Sequence, residues 1–301
     1  MSEALDASGY ERLATFGEPA SVVRARMVQH FHNPIGGAGA EVMRMLTSEA
    51  GMAEAVAAVY VERLASRLVS QRVDMLLPAV MQRLADAALA AFGRIDVLVN
   101  NAGILRDKTL AKIDPADFEA VVRVHLLGSA WCSRAVLPAM QQQQYGRIVM
   151  TTSAAGLYGN FGQSNYGAAK LGLVGLMNSL KLEASRHGIL VNTVAPVALT
   201  RMTEGLPLAA LMKDATPERV AAGVAFLASE QCHFSGVVLA AGAGYFSTVR
   251  IVEGQGVHAA ADEVSPEFVA AHWDRIADPA GARGFDSAVH ALQGAFGPPQ
   301  P

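Results

Sequence analysis

The sequence is poor in charged residues, and neither sign of charge dominates. Charged residues make up 17% of the 301 residues, against about 25% in typical soluble proteins. The 24 Lys and Arg nearly balance the 27 Asp and Glu, which leaves a formal net charge of −3. A chain without excess positive charge cannot neutralise many phosphates, so we expect no nucleic-acid partner. Hydrophobic residues reach 51%, which excludes general disorder and supplies a large core.

Cysteine, targeting segments and long apolar runs are also scarce. Cys132 and Cys232 lie far apart, which excludes a disulfide framework and a paired-cysteine metal site. The N-terminal residues carry acids and lack the apolar core of a signal peptide. Two uncharged stretches, 148–169 and 231–249, are interrupted by Gly, Ser, Asn, Gln or Thr, so neither predicts a membrane span. We therefore expect a cytoplasmic protein that binds neither metals nor membranes.

From about residue 81 onward, helix-type and strand-type apolar patterns alternate along the chain, as is typical of βαβ units around a parallel sheet. Helix boundaries are marked by Asp114 and Thr216, each followed by proline, and by Gly93 and Gly188. We therefore predict an α/β fold with a doubly wound, Rossmann-like parallel sheet. Strand patterns occur at 95–103, 146–153, 189–196 and 236–244, and helix patterns occur at 80–93, 114–140, 164–188 and 216–230.

The two ends of the chain follow other patterns. Residues 21–31 predict at best a weak strand, and apolar positions spaced by three and four over 43–80 predict one or two helices. Beyond the core we expect a hairpin at 245–258 and a helix beginning at Ser265 and Pro266. The expected organisation is an atypical, mainly helical N-terminal segment, a core and a short C-terminal extension, covering 1–80, 81–245 and 246–301.

Tyr166 and Lys170 carry the strongest chemical signal in the sequence. They are four residues apart on the helix opened by Ser164 and Asn165, so they lie on one face and can act on one molecule. A phenol has an ordinary pKa of about 10, and a neighbouring ammonium is expected to lower it. Tyr166 is therefore a candidate proton donor and acceptor, although such a pair also occurs by chance.

The carboxyl ends of two predicted strands strengthen this interpretation. Ser153 ends the strand that precedes Tyr166, and doubly wound sheets bind ligands at the carboxyl ends of their strands. A hydroxyl there could hold a substrate oxygen beside the phenol. The preceding strand ends in residues that are small or polar enough for close approach to a flat ligand, namely Asn100, Asn101, Ala102 and Gly103.

These residues resemble the short-chain dehydrogenase/reductase family. The resemblance rests on NNAG at 100–103, on Ser153, and on Tyr166 and Lys170 within GNFGQSNYGAAKLGL. More narrowly, NNAGILRDKTLAKI, RVHLLGS, TRMTE and GAGYFSTVRIVEGQG are similar to the (3R)-hydroxyacyl-CoA dehydrogenase domain of peroxisomal multifunctional enzyme type 2. The similarity covers about residues 81–280 and is specific, since ILRDKTL is not a general feature of the superfamily.

The resemblance implies an NAD-linked oxidation of a secondary alcohol on an acyl thioester, with NADP not excluded. In this family Tyr166 would take the hydroxyl proton, Ser153 would steady the substrate oxygen, and Lys170 would lower the phenol pKa and bind the nicotinamide ribose. Asn100, Ala102 and Gly103 would pack against the adenosine side of the cofactor. The family's helices that match 114–140 and 164–187 form a dimer interface, which implies a homodimer or homotetramer.

The sequence departs from the family pattern at two places. His125 stands where many members carry an asparagine that supports a proton path, so His125 either takes that role or is a packed helix residue. No glycine-rich TGxxxGxG turn precedes residue 81. The cluster Gly36, Gly37 and Gly39 forms either a phosphate cradle or a plain turn. The N-terminal segment is thus a diverged cofactor half, a replacement helical segment or the product of a reading-frame change.

Three functions remain open at this point. The first is the (3R)-hydroxyacyl-CoA dehydrogenase, and the second is a 3-oxoacyl reductase, because the GQxNYxAAK pattern also occurs there. The third is a non-catalytic, dehydrogenase-like subunit that lacks a complete dinucleotide site. All three share the core, and they differ in substrate and in cofactor binding.

Overall fold

The structure is a computed structural model that describes residues 58–60, 78–198 and 215–296. Elements are numbered here in chain order within those ranges. The strands are β1 (Ala58–Tyr60), β2 (Val97–Asn100), β3 (Gly146–Thr151), β4 (Ile189–Val197), β5 (Val238–Gly242) and β6 (Tyr245–Val249). The helices are α1 (Pro78–Phe92), α2 (Pro115–Val122), α3 (Gly128–Gln143), α4 (Ala154–Tyr158), α5 (Ser164–Ala184), α6 (Pro217–Ala228), α7 (Pro266–Ala271), α8 (Trp273–Ile276) and α9 (Ala288–Phe296).

The six strands form one sheet in the order β1-β2-β3-β4-β5-β6, and β1 to β5 pair in parallel. Every residue of β2 and β3 is buried, so both faces of these strands are covered. One face packs against α6, in a cluster that includes Val97, Val149, Val194 and Leu227. Continuous apolar runs are typical of strands buried on both faces. The predicted Rossmann-like α/β fold is confirmed for the core.

Two predictions about the sheet are wrong. Residues 58–60 lie within the segment expected to be helical, yet they form β1, in register with Val97–Val99 of β2. A three-residue strand is too short for its alternation to be told from a helical pattern.

The hairpin expected at 245–258 is also misplaced, because residues 245–249 form the second strand of a hairpin whose first strand is β5. A two-residue turn at Ala243 and Gly244, with φ of 51° and 85°, joins β5 to β6. Positive φ at both positions is typical of tight hairpin turns.

The helix boundaries agree with the predicted caps in most places. Asp114 accepts a hydrogen bond from the Ala116 N–H at the start of α2, and Pro115 occupies its first turn. Gly93 and Gly188 follow their helices with φ of 74° and 67°, a conformation that favours glycine. Thr216 precedes α6 but its side chain makes no capping hydrogen bond.

The helix predicted over 114–140 is divided into α2 and α3 by one π-helical turn, Arg123–Leu127. Such turns insert an extra residue, change which side chains face the core, and are frequent at functional sites. His125 lies in this turn and is buried. The consequence for the site is described below.

The chain divides into two compact units at Thr248 and Val249, and the expected boundary at residue 80 falls inside α1. The second unit holds α7, which begins after Ser265 as predicted, together with α8, α9 and an antiparallel bridge between Glu253 and Arg283. The glycine cluster at 36–39 and the weak strand at 21–31 lie outside the described residues. Within the described ranges, no helix has the length and apolar character needed to cross a bilayer.

Candidate active site

The site is built where β3 ends and two helices begin. Ser153 follows β3 and caps α4, and its Oγ accepts a hydrogen bond of 3.2 Å from the Ala155 N–H. Tyr166 lies in the first turn of α5, close enough to Ser153 for the Ser153 hydroxyl to lower the pKa of the phenol. The structure thus brings the two predicted hydroxyls together.

Two glycines allow α4 and α5 to approach closely enough for this contact. A Cβ on Gly156 would lie 2.8 Å from both the Lys170 Cβ and the Leu171 backbone nitrogen. A Cβ on Gly167 would lie 3.0 Å from the Ala155 carbonyl oxygen. Neither glycine has a positive φ, so space rather than backbone conformation is the reason for glycine here. Their contact holds Ser153 beside Tyr166.

The pKa of Tyr166 is raised above its ordinary value of 10. Burial is the largest cause, the neighbouring Ser153 hydroxyl acts in the opposite direction, and the negative charge of Asp107 raises the pKa further. At neutral pH the phenol of this structure therefore carries its proton.

Lys170 is buried, and its Nζ donates a hydrogen bond of 2.6 Å to the Thr151 carbonyl oxygen at the end of β3. Burial lowers the Lys170 pKa from 10.5 to about 7. Its Nζ lies 5.4 Å from the centroid of the Tyr166 ring. Burial, and not Lys170, is the largest cause of the Tyr166 shift, so the expectation that Lys170 lowers the phenol pKa stays a prediction.

The segment 100–103 lies at the same edge of the sheet. Asn100 is buried and its Nδ2 donates to the Ser133 Oγ at 3.4 Å, while the Asn101 Oδ1 accepts from the Thr151 hydroxyl at 3.2 Å. Ala102 is half-buried between them and Gly103. The two asparagines connect β2 to α3 and to β3, so the predicted cofactor-side residues are fixed by contacts inside the protein.

Gly103 and His125 form a packed pair. A Cβ at Gly103 would collide with the Cε1 of His125, so the imidazole ring occupies the space that a side chain would need. The His125 ring also packs edge-on against Tyr166, with ring centroids 5.2 Å apart and planes at 89°. A glycine at 103 is therefore required by this neighbour.

The hydrogen bonding of His125 is one-sided. Its Nε2 lies 3.1 Å from the Ile104 nitrogen and 2.9 Å from the Ile104 oxygen, whereas its Nδ1 is buried without a hydrogen-bond partner among the described residues. Burial, followed by the charge of Lys170, lowers the His125 pKa to about 3. The ring is therefore neutral at physiological pH and supports Tyr166 by packing.

The loop after Gly103 is tied to the start of α5. The Asn165 Nδ2 donates to the Arg106 carbonyl oxygen at 3.0 Å, and the Gln163 Nε2 donates to the Asp107 Oδ2 at 2.7 Å. Both Asn165 and Gln163 are buried. These bonds place the Asp107 carboxylate close enough to influence Tyr166.

Sequence reasoning missed several of these positioning residues. The signal for Asn165 and Gln163 was available in part, because polar residues immediately before a helix commonly bond to a neighbouring backbone. Gly156 and Gly167 gave no separate signal, since a glycine in a helix is informative only once its neighbour is known. Thr151 contributes a backbone carbonyl, which any residue could supply.

The comparison with known families now bears on this geometry. The sequence profile of the family described as short chain dehydrogenase matches residues 32–208, more than half of the chain. The chain belongs to the short-chain dehydrogenase family. The matched region of this short-chain dehydrogenase begins at residue 32, inside the N-terminal segment, whereas the motifs that resemble the family lie within about residues 81–280.

The relatives of this short-chain dehydrogenase agree with the narrower resemblance. It is 43% identical over 196 residues to "Peroxisomal multifunctional enzyme type 2" of Drosophila melanogaster, covering 64% of this chain and 33% of that protein. It is 41% identical over 157 residues to a "3-oxoacyl-[acyl-carrier-protein] reductase" of Synechocystis, covering 50% of this chain and 64% of that enzyme. The structure of the full-length Drosophila enzyme matches with a TM-score of 0.66 at 33% identity, covering 87% of this chain and 48% of that one.

This short-chain dehydrogenase thus spans about a third of the length of the Drosophila protein, 33% by sequence. The family is one of oxidoreductases, and membership of it accounts for the parallel sheet. The family generally binds NAD or NADP.

Proposed function

We propose that this chain transfers hydride between the secondary alcohol of a 3-hydroxyacyl thioester and a nicotinamide cofactor, with Tyr166 as general acid and base. The observation that carries the proposal is that the Ser153 and Tyr166 hydroxyls lie at the carboxyl edge of the sheet, close enough for Ser153 to lower the pKa of the phenol. Sheet packing alone does not require two hydroxyls at one edge. A substrate oxygen placed between them would meet a proton carrier and a second hydrogen-bond partner.

The proton chemistry follows from the state of Tyr166. In the direction of ketone reduction, the protonated phenol donates its proton to the substrate oxygen, and its raised pKa favours this form. In the direction of alcohol oxidation, the phenolate accepts the hydroxyl proton, so oxidation should gain as the pH rises. Ser153 bonds to the substrate oxygen in both directions and holds it beside the phenol.

The residues of the site fit a nicotinamide cofactor. An ammonium has three N–H donors and Thr151 accepts from one, so Lys170 can donate to the hydroxyls of a ribose. Asn101, Ala102 and Gly103 at the carboxyl edge of β2 are partly exposed, so a flat group can approach them. A bound nicotinamide supplies the hydride acceptor or donor for the reaction. We take NAD as the cofactor, from the narrower family resemblance, and NADP as the alternative.

The decisive variant is Tyr166→Phe, which removes the phenolic hydroxyl and keeps the ring that packs on His125. We expect turnover to fall by about 10³-fold while the circular-dichroism melting curve stays unchanged, because general acid–base catalysis contributes ~10²–10⁴-fold and the ring keeps its packing. Tyr245→Phe is the matched control, since Tyr245 is exposed on β6. Retained turnover in Tyr166→Phe would refute the assignment.

The 3-oxoacyl reductase is the second candidate, favoured by the Synechocystis relative. It uses the same site in the reducing direction on an acyl-carrier-protein thioester. Steady-state kcat/KM values for the same acyl chain on coenzyme A and on acyl carrier protein, each with NADH and NADPH, separate the two candidates. A hundredfold preference for one carrier identifies the substrate class.

The third candidate is a dehydrogenase-like subunit without catalysis, motivated by the absence of a TGxxxGxG motif before residue 81. Titration with NADH, followed by nicotinamide fluorescence, tests it directly. Saturable binding at micromolar concentration would reject this candidate. Absence of binding to the intact chain would reject both enzymes.

We also propose that the chain forms a homodimer or homotetramer. The outer side of α5 exposes Leu171 and Leu182, apolar side chains that a second copy could cover. Sedimentation of the wild type and of a Leu171→Lys, Leu182→Lys variant tests this. The cytoplasmic location stays a prediction, to be checked by fractionation, and the Drosophila relative is named a peroxisomal protein.

A further inference from the structure

A carboxylate from the loop after β2 is bound beside the proposed proton carrier. Asp107 is exposed, and its Oδ2 accepts a hydrogen bond of 2.7 Å from the Nε2 of Gln163. Gln163 is buried and caps the start of α5, three residues ahead of Tyr166. Side chains three residues apart at the start of a helix lie on the same face. The Asp107 carboxylate is therefore bound to the side chain that precedes Tyr166 on that face.

Further hydrogen bonds restrict where this carboxylate can lie. The Asn160 Nδ2 donates to the Gln163 Oε1 at 2.9 Å, so the oxygen and the nitrogen of the Gln163 amide are both bonded. The Asn165 Nδ2 donates to the Arg106 carbonyl oxygen at 3.0 Å, which ties the residue before Asp107 to the same turn of α5. An exposed carboxylate without such bonds samples several rotamers. Asp107 is instead held through its backbone and through its side chain.

Three titratable groups surround the Tyr166 phenol in the described part of the chain. Lys170 follows on α5, and its Nζ donates to the Thr151 carbonyl oxygen of β3. His125 packs edge-on against the ring and is neutral at physiological pH, because burial lowers its pKa to about 3. Asp107 lies on the loop, and its negative charge raises the pKa of Tyr166. The loop thus supplies the negative charge that acts on the phenol.

We infer that Asp107, held by Gln163, is a positioning residue that sets the pH range in which Tyr166 exchanges its proton with the substrate. This inference rests on the proposed function, in which Tyr166 is the general acid and base. A fixed negative charge beside a phenol opposes formation of the phenolate, because like charges repel. Transfer of the substrate proton to Tyr166 then reaches its full rate only at a higher pH.

The test measures the pH profile of alcohol oxidation in the full-length protein. Asp107→Asn removes the charge and keeps an oxygen that can accept from Gln163, so the loop should stay in place. We expect the midpoint of the kcat/KM profile for a 3-hydroxyacyl thioester to move to lower pH, with kcat/KM rising about twofold on its acid side. Asp86→Asn is the matched control, because Asp86 is an exposed aspartate on α1 that also accepts from a glutamine, Gln82, at 2.9 Å. Its profile should equal that of the wild type.

A second variant, Gln163→Ala, tests the hydrogen bond separately from the charge. It keeps the Asp107 carboxylate and removes the donor that holds it, so we expect a shift in the same direction and smaller than in Asp107→Asn. A wild-type midpoint in Gln163→Ala would overturn the role of Gln163. A lower rate at every pH with an unmoved midpoint in Asp107→Asn would show that the loop contributes only packing, and would overturn the role of the charge.

A titration without substrate separates this inference from the proposed function. The ultraviolet absorbance of phenolate is followed as the pH rises, and the curve of the matching Tyr166→Phe protein is subtracted, which isolates Tyr166 among the six tyrosines. The Tyr166 midpoint should be lower in Asp107→Asn than in the wild type. Equal midpoints overturn the inference, with or without turnover. A wild type that oxidises no 3-hydroxyacyl thioester overturns the proposed function.

Discussion

Replacing Lys170 by methionine should stabilise the fold at neutral pH while removing a proposed cofactor contact. Burial lowers the Lys170 pKa from 10.5 to about 7, and each pKa unit corresponds to ~1.4 kcal/mol, so the shift corresponds to ~5 kcal/mol. Loss of the donor to the Thr151 carbonyl costs ~1–3 kcal/mol. Methionine has a similar length and adapts to the space, so we expect a net gain of ~2–4 kcal/mol at pH 7.

The pH dependence gives this prediction a second, independent readout. Because the folded pKa is below the unfolded one, the unfolded chain binds more protons between pH 7 and pH 10.5. Wild-type stability attributable to this group therefore rises through that window, by up to ~1.4 kcal/mol per pH unit. The methionine variant lacks the contribution, so its advantage should shrink as the pH rises and reverse at about pH 9.

The assay is equilibrium urea denaturation at pH 7, 8.5 and 10, followed by tryptophan fluorescence and circular dichroism. Lys112→Met is the matched control, since Lys112 is exposed on the loop after β2 and its loss should change stability little at any pH. A Lys170→Met variant that is less stable than the wild type by the same amount at all three pH values would show that desolvation of the ammonium is not the dominant cost.

Two further predictions concern packing. Gly103→Ala should destabilise the fold by ~2 kcal/mol, because the new Cβ collides with the His125 ring. The same change should cost less stability in a His125→Ala background. If a thermal double-mutant cycle gives equal costs with and without the His125 ring, this contact is refuted. Arg147→Ala should cost ~3 kcal/mol, because its buried guanidinium donates to the Ser229 carbonyl oxygen at 3.1 Å, whereas exposed Arg83→Ala should cost less than ~0.5 kcal/mol. A loss below ~1 kcal/mol in Arg147→Ala, measured by urea denaturation, would contradict this explanation.

The core strands could be predicted from the sequence because each is a continuous apolar run that ends in turn-forming residues. β3 and β4 begin at the predicted residues, Gly146 and Ile189. β1 was missed because three residues carry too little pattern, and its place depends on pairing with β2. The π-helical turn was missed because the segment 114–140 is apolar on more than one side, so an inserted residue that changes the face toward the core leaves no clear break in the pattern.

The proximity of Ser153, Tyr166 and Lys170 also followed from spacing and from the location of strand ends. Their protonation states did not follow, because these depend on distances that spacing does not supply. The sequence suggests an ammonium beside a phenol, whereas the structure places the Lys170 Nζ at the Thr151 carbonyl and leaves burial as the main influence on Tyr166. Burial raises the pKa of a phenol and a nearby ammonium lowers it, and a few ångströms in the distance between the two groups determine which effect is larger.

The close contact between α4 and α5 has a consequence for engineering. Gly156 and Gly167 permit no added atom without moving Lys170 or Ala155, so substitutions there would reduce both protein yield and turnover together. Tyr158 and Phe161 point into solvent on the same stretch of chain. A mutagenesis library should therefore hold both glycines constant and randomise the two aromatic positions, where diversity is compatible with an intact scaffold.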